Sequence, residues 1–96
     1  MTNAQDILSI LRAQRSTLSA RFSVQTIGLF GSCARNEAKP GSDVDILIDL
    51  AEPTFDHYMD LKFFLEDLLH ASVDLVLSEA LRPRLRPYVM QEIIYA

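Results

Sequence analysis

The sequence lacks the features that mark secreted, membrane-spanning and broadly nucleic-acid-binding proteins. Its single cysteine, Cys33, cannot form an internal disulfide, which favours a reducing compartment. No apolar run approaches the roughly 18 residues that a membrane span needs, and the opening MTNAQDILSILRAQ has no charged-then-apolar secretory pattern. A formal net charge of −4 argues against broad binding to nucleic acid or to an anionic membrane. We therefore expect a cytoplasmic protein whose direct partners include neither nucleic acid nor membrane.

Length and composition predict a single domain spanning residues 1–96. Hydrophobic residues make up 49% of the chain and charged residues 23%, so the chain should fold around one modest core. No linker or repeat divides it. The free energy of folding is small at this size, and a partner protein could add to it.

The spacing of apolar residues predicts strands that alternate with helices. Strands are expected over residues 23–30, 44–50 and 72–77. Helices are expected over residues 3–15, over residues 53–70 and after Pro87, and a short apolar segment follows at residues 93–95. Thr2 or Asn3 would cap the first helix. This order predicts an α/β (α+β) fold, with a small mixed sheet of three to four strands flanked by helices.

Two aspartates begin the second predicted strand, where apolar residues would be expected. Side chains alternate between the faces of a strand, so Asp43 and Asp45 project from the same face. Close carboxylates repel each other unless a cation lies between them, and Mg²⁺ is commonly held by one or two carboxylates plus substrate phosphate oxygens. Asp74 has an equivalent setting in the third strand. If the two strands are neighbours, three carboxylates meet at one edge of the sheet.

A Gly-Ser turn upstream gives this acidic cluster a possible ligand. A single D-x-D is most often only a solvated strand end, and Asp74 alone could be an exposed strand position. However, Gly31 lets the chain bend and lets a phosphate approach the backbone, while Ser32 offers a hydroxyl and opens a short helix whose free N–H groups attract anions. An anion cradle beside a metal-binding acidic cluster is the arrangement that holds a nucleoside triphosphate.

These motifs carry a resemblance to a known family. Gly31-Ser32, ten further residues and Asp43-Val44-Asp45 resemble the G-S-x10-D-x-D pattern of the DNA polymerase β-like nucleotidyltransferases. The run GSCARNEAKPGSDVDILI is similar to the minimal nucleotidyltransferases, which are often encoded beside a HEPN-domain partner as toxin–antitoxin pairs. Asp74 falls where that family carries its third carboxylate, and the ending YVMQEIIYA is similar to its C-terminal segment. Many relatives carry glycine at the position of Asn36, but asparagine tolerates a left-handed backbone better than most residues.

The resemblance implies the fold, the site and the ligands. It implies a nucleotidyltransferase fold that binds ATP together with Mg²⁺, as two ions. Triphosphate binding would fall to Gly31, Ser32 and Arg35. Metal binding and catalysis would fall to Asp43, Asp45 and Asp74. Asp74 would act as the general base or would position the attacking hydroxyl.

The resemblance also implies an acceptor and a partner. AMP would pass from ATP to a protein hydroxyl, a tyrosine of a cognate HEPN toxin, within a hetero-oligomer. The chain would then be the antitoxin of a type VII toxin–antitoxin system. An antitoxin that neutralises its HEPN partner by binding alone is the alternative. A nucleic-acid nucleotidyltransferase is disfavoured by the acidic charge.

Several residues have more than one interpretation. Arg35 could reach a phosphate or could pair with Glu37 or Asp49. We interpret Cys33 as a small packed side chain rather than a nucleophile. His57 and His70 have no Cys or His partner at metal-ligand spacing, so surface or capping roles are expected.

Two segments could contact a partner protein. The segment from Arg82 to Arg86 holds three arginines in an acidic chain, and it is either a solvated loop or a contact with a partner or with nucleotide phosphates. The predicted helix over residues 53–70 has more apolar residues than one face needs. Those available for burial are Phe55, Tyr58, Met59, Leu61, Phe63, Leu65 and Leu68. Phe63 or Phe64 could therefore face a partner.

Overall fold

A four-stranded mixed sheet lies at the centre of the computed structural model, which describes residues 3–96. The strands are β1 (Val24–Phe30), β2 (Val44–Leu50), β3 (Val73–Leu77) and β4 (Ile94–Tyr95). Their order in the sheet is β3-β2-β1-β4. Strand β1 is antiparallel to both of its neighbours, whereas β3 runs parallel to β2. The predicted sheet is therefore confirmed, and its fourth strand is the short apolar segment near the end of the sequence.

Five helices flank the sheet within residues 3–96. They are α1 (Ala4–Ala13), α2 (Arg15–Phe22), α3 (Gly31–Ala34), α4 (Phe55–Leu69) and α5 (Arg86–Glu92), and a 3-10 turn covers Ser78–Ala80. None of these helices is long and apolar enough to cross a bilayer.

The first predicted helix is confirmed as α1, which ends two residues earlier than expected, whereas the second helix, α2, after Gln14 was not predicted. The second, α2, buries only Leu18 and Phe22, too few residues to show a helical period in the sequence. The capping prediction is confirmed for Asn3, whose side-chain oxygen accepts the N–H of Asp6 at 2.9 Å. The alternative cap, Thr2, lies outside the described residues.

The hydrophobic core covers one face of the sheet. Alternate residues of β2, such as Ile46 and Ile48, are fully buried in one cluster with Leu11 of α1 and with Leu61 and Leu65 of α4. The other residues of β2 therefore point to the opposite face, and they include Asp45 and Asp49. The core thus leaves Asp45 and Asp49 outside it on the second face, where Leu47 between them is also buried.

The C-terminal part of α5 lies against this second face. Gly28 of β1 has no side chain there, and an added Cβ would lie 2.6 Å from Ile93, the residue that follows α5. Ile94 then pairs with Leu29. Helix α5 therefore ends close to the end of β1, where the Gly31-Ser32 turn begins.

Two aromatic residues predicted to be available for burial are exposed. Phe55 is 76% exposed and Phe63 is 58% exposed, because α4 packs only one side against the core. Phe64 packs inward instead, with its ring centroid 5.1 Å from that of Phe22. Of the two phenylalanines suggested to face a partner, Phe63 is the one whose exposure fits that role.

Candidate active site

The register of β2 and β3 brings two of the predicted carboxylates together. Asp45 lies directly opposite Asp74 in this parallel pair, and both stand at the second position of their strands. Asp74 is close enough to raise the pKa of Asp45, and the charge of Asp43, just before β2, acts in the same direction. The two strands are neighbours, as the prediction required, and their register places Asp45 beside Asp74. A site that all three carboxylates share stays a prediction.

Burial, together with nearby negative charge, raises the pKa of Asp45. Its pKa is raised from 3.8 to about 6, mainly because burial disfavours the ionised form. Asp74, and then the charges of Asp43 and Glu92, raise the pKa further, in that order. The ionised form of Asp45 is therefore disfavoured, and a cation bound beside it would stabilise that form.

The oxygen donors at this edge fit Mg²⁺. Within residues 3–96, no three His, Cys, Asp or Glu side chains are grouped so that they alone could hold a metal ion. Mg²⁺ commonly binds one or two carboxylates and fills its remaining positions with water and substrate phosphates. The pair of Asp45 and Asp74, with Asp43 beside it, is suited to an ion that shares its coordination with a phosphorylated substrate.

The turn after β1 is shaped around Asp45. Gly31 has φ +74°, a conformation that other L residues rarely adopt, and a Cβ at this position would collide with the Asp45 carboxylate. The register of the sheet explains this contact, because Phe30 is the partner of Asp45 across β1 and β2. Gly31 therefore allows the Gly-Ser backbone to approach the carboxylates, and Ser32 follows in the first turn of α3.

A fourth carboxylate, which the sequence analysis missed, lies at this turn. Glu92, the last residue of α5, accepts the Gly31 N–H through Oε2 at 2.5 Å. Its Oε1 accepts a hydrogen bond from Nη1 of Arg35 at 2.8 Å. Glu92 and Gly31 are 61 positions apart in the chain, and no local motif links them.

Arg35 pairs with two carboxylates. Its Nε donates to Glu37 at 2.8 Å, which confirms one of the predicted alternatives, and its Nη1 donates to Glu92. The alternative pairing with Asp49 is wrong, because Asp49 accepts the hydroxyl of Thr26 at 2.6 Å further along β2. A contact between Arg35 and a phosphate stays a prediction.

Cys33 is a packed thiol, as interpreted from the sequence. It is 6% exposed, and its Sγ lies 3.8 Å from the backbone oxygen of Asp43, to which it donates. Burial, and to a lesser extent the charge of Asp45, raises the pKa of the thiol above its ordinary value. The reactive thiolate is therefore disfavoured.

The predictions for the two histidines and for Asn36 are confirmed. The ring Nδ1 of His57 contacts the backbone oxygen of Glu52 at 2.7 Å, and His70 caps the C-terminus of α4 with φ 53°. Asn36 adopts the left-handed conformation with φ 58°, and its Oδ1 accepts the N–H of Ala4 at 2.8 Å. Asn36 therefore connects the segment after α3 to the start of α1.

The arginine-rich segment is largely solvated. Arg82 and Arg84 are exposed, whereas Arg86 donates through Nη2 to the backbone oxygen of Ser78 at 2.7 Å. Contact of this segment with a partner protein or with a nucleotide stays a prediction.

Comparison with known families agrees with this geometry. The family model described as the nucleotidyltransferase domain matches residues 11–96. The chain belongs to this family. It is 43% identical over 96 residues to the protein adenylyltransferase MntA of Thermococcus cleftensis, covering 99% of this chain and 97% of the relative. It is also 36% identical over 97 residues to a candidate protein adenylyltransferase of Methanocaldococcus jannaschii, covering 99% of both chains.

Solved structures show the same fold. A candidate minimal nucleotidyltransferase superposes with a TM-score of 0.74 at 41% identity, covering 91% of this chain and 93% of the other. A chain of a toxin–antitoxin structure with AMP-PNP superposes with a TM-score of 0.69 at 25% identity, covering 98% of this chain and 72% of the other. The predicted family and the nucleotidyltransferase fold are confirmed, and this chain is a nucleotidyltransferase.

Proposed function

We propose that this nucleotidyltransferase uses Mg²⁺ to transfer AMP from ATP to a protein hydroxyl, a tyrosine of a cognate HEPN toxin, and thereby acts as an antitoxin. The observation that carries the proposal is the pairing of Asp45 with Asp74 beside the Gly31 turn. Relatives named as protein adenylyltransferases support AMP as the transferred group, and the toxin–antitoxin structure with AMP-PNP supports ATP and a toxin partner. We further propose that residues 1–96 act as one domain, in a cytoplasmic hetero-oligomer with the toxin.

The proposed chemistry follows from the sheet edge. Asp43, Asp45 and Asp74 would hold Mg²⁺, which when bound neutralises phosphate charge and lowers the pKa of a coordinated hydroxyl. The backbone turn at Gly31 would allow the triphosphate close to these carboxylates, where the Ser32 hydroxyl and the Arg35 guanidinium would donate to its oxygens. Asp74, the more exposed member of the strand pair, would orient the acceptor hydroxyl and take its proton.

The proposed reaction is a single displacement at phosphorus. The acceptor oxygen forms a bond to the α-phosphorus of ATP, the bond from that phosphorus to the bridging oxygen breaks, and pyrophosphate leaves. The product is an AMP–tyrosine ester on the toxin, and the hydroxyl proton passes to Asp74. The side chains that this chain supplies therefore act by positioning and charge stabilisation, and none forms a covalent intermediate.

Label transfer from [α-³²P]ATP to the purified HEPN partner tests this proposal. We expect Mg²⁺-dependent labelling of the partner by the wild type, loss of labelling in Asp45→Asn and Asp74→Asn, and a modified tyrosine by mass spectrometry. Asp49→Asn is the matched control, because Asp49 lies on the same strand and face but contacts Thr26 away from the turn. Its amide oxygen can still accept the Thr26 hydroxyl.

The same experiment separates the alternatives. Neutralisation of toxin activity without any label on the toxin, by the wild type and Asp45→Asn alike, would favour an antitoxin that acts by binding alone. Labelling of RNA in place of the partner protein would favour a nucleic-acid nucleotidyltransferase. Either result would overturn the proposed protein adenylylation.

A further inference from the structure

We propose that Glu92 is a positioning residue for nucleotide binding, which holds the Gly31 amide and the Arg35 guanidinium in one fixed arrangement. This role rests on the proposed nucleotidyl transfer. It assigns to the C-terminal helix α5 a direct part in shaping the nucleotide site, although α5 lies far from the Gly-Ser and D-x-D motifs in the sequence.

The two contacts of Glu92 require a carboxylate. Oε2 accepts from the Gly31 N–H at 2.5 Å, and Oε1 accepts from Arg35 Nη1 at 2.8 Å. Both partners are donors, so the residue between them must supply two acceptors. A glutamine has one acceptor and one donor in the same shape, and it could satisfy only one of the two partners. Both bonds are charge-assisted on the glutamate side, which makes them stronger than neutral hydrogen bonds.

The backbone of Glu92 is fixed relative to the turn that it contacts. Ile93, the next residue, donates its N–H to the backbone oxygen of Val89 at 2.9 Å and lies over Gly28. Ile94 then pairs with Leu29, two residues before Gly31. The carboxylate and the turn are therefore attached to the same end of β1. The two hydrogen bonds of Glu92, to Gly31 and to Arg35, form what we call the Glu92 clamp. This clamp adds a third connection between α5 and this end of the sheet.

The clamp leaves donors that a phosphate could use. Arg35 gives Nε to Glu37 and Nη1 to Glu92, and its Nη2 has no hydrogen-bond partner among residues 3–96. The Ser32 hydroxyl likewise has none within this described part of the chain. Because Glu37 and Glu92 hold the guanidinium of Arg35 on two sides, the direction of its Nη2 group is fixed. Less conformational freedom is therefore lost when an anion binds to Nη2.

Glu37 provides a matched control for Glu92. Both carboxylates contact Arg35 at 2.8 Å, but only Glu92 also contacts Gly31. Glu92→Gln and Glu37→Gln each remove one negative charge next to the same guanidinium. A difference between the two variants therefore reports what Glu92 does beyond Arg35, which is its contact with the Gly31 amide and a small effect of its charge on Asp45.

The test measures ATP affinity in the presence of Mg²⁺ by calorimetry, together with kcat and KM for labelling of the partner. We expect Glu92→Gln to weaken ATP binding about tenfold or more and to raise KM by a similar factor, because a turn and a guanidinium that Glu92 no longer holds must be ordered when ATP binds. We expect kcat at saturating ATP within about twofold of the wild type, because the three aspartates are retained and the charge of Glu92 is the smallest of the influences on Asp45. Glu37→Gln should change ATP affinity by no more than about twofold, because the amide oxygen of glutamine can still accept the one bond from Arg35 Nε at this exposed position.

A structural readout accompanies the binding data. The chain has three glycines, so the Gly31 amide can be identified in a ¹⁵N-labelled sample, and a short hydrogen bond to a carboxylate shifts its proton downfield. This shift should persist when ATP binds to the wild type and should disappear in Glu92→Gln. The wild-type measurement remains informative even if the variant is too unstable to assay.

Several results would overturn the role of Glu92. These are unchanged ATP affinity in Glu92→Gln, an equal loss in Glu37→Gln, or a Gly31 signal that returns to an ordinary position when ATP binds. Tighter ATP binding by Glu92→Gln would also overturn it, because Glu92 would then compete with the phosphates. Absence of ATP binding by the wild type would instead overturn the proposed nucleotidyl transfer, and this role with it.

Discussion

Replacing Asp45 with asparagine should stabilise the nucleotide-free protein while abolishing its activity. The Asp45 carboxylate is partly buried beside Asp74, and its pKa is raised to about 6. The folded state therefore binds a proton more tightly than the unfolded chain, in which an aspartate has a pKa near 3.8. For a group of this kind, the free energy of unfolding falls as the pH rises from about 4 to about 6. Above this range Asp45 is ionised in an unfavourable environment, and Asp45→Asn removes that cost.

The size of the effect follows from the two pKa values. The difference between 3.8 and about 6 corresponds to about 3 kcal/mol, since each tenfold change in proton affinity is worth 1.36 kcal/mol. Solvent at this partly exposed edge screens the charges, so we expect about 1 to 2 kcal/mol in practice. For a domain of this length, that corresponds to an increase in Tm of about 4 to 16 °C above pH 7.

Chemical and thermal unfolding at pH 4.5 and pH 7.5, in EDTA, measure this effect. Asp45→Asn should exceed the wild type in stability at pH 7.5, and the difference should shrink towards pH 4.5. Asp49→Asn, on the same strand and face, should show no such pH-dependent gain. Adding Mg²⁺ with ATP should raise the Tm of the wild type and not that of Asp45→Asn. An Asp45→Asn protein that is less stable than the wild type at pH 7.5 would refute the electrostatic reasoning.

Two further predictions concern the residues around this carboxylate. Gly31→Ala should lower the free energy of unfolding by at least about 2 kcal/mol more than Gly41→Ala, and it should abolish ATP binding. Both glycines have positive φ, but only Gly31 abuts Asp45. Equal losses of stability in urea unfolding would contradict this. Cys33 should react slowly with iodoacetamide at pH 8 in the folded protein and rapidly in urea, because burial and Asp45 raise the pKa of the thiol; rapid labelling of the folded protein would contradict the packed position.

Local sequence patterns were sufficient to predict the centre of the site. Strand β2 has the bounds expected from its apolar run, and alternation along it correctly separates the core residue Ile46 from Asp45. The bounds of β2 and the alternation of its faces depend on residues that are close in the sequence, so a local pattern predicts them. The pairing of Asp45 with Asp74 needed the one further assumption that β2 and β3 are neighbours.

Features that depend on distant contacts were not predictable in the same way. The clamp of Glu92 depends on how α5 crosses the second face and on a fourth strand of only two residues. The exposure of Phe55 and Phe63 depends on which side of α4 packs against the sheet and α2. Periodicity gives the number of apolar residues on a helix, but it does not say how much of that helix its neighbours cover.

The energetic cost of the carboxylate cluster bears on whether this nucleotidyltransferase neutralises the proposed toxin partner by catalysis or by binding alone. Asp45 is partly buried against Asp74, with the charges of Asp43 and Glu92 acting on it, and the free energy of folding is small for a chain of 96 residues. A protein that worked by contact alone would lose nothing by carrying asparagine at position 45, and it would gain stability at neutral pH. The unfavourable arrangement is explained if a cation and a triphosphate bind at this edge during catalysis. The free energy of their binding would then offset the cost of holding the carboxylates together. If Mg²⁺ and ATP fail to stabilise the wild type more than Asp45→Asn, this explanation fails and binding alone becomes the better account.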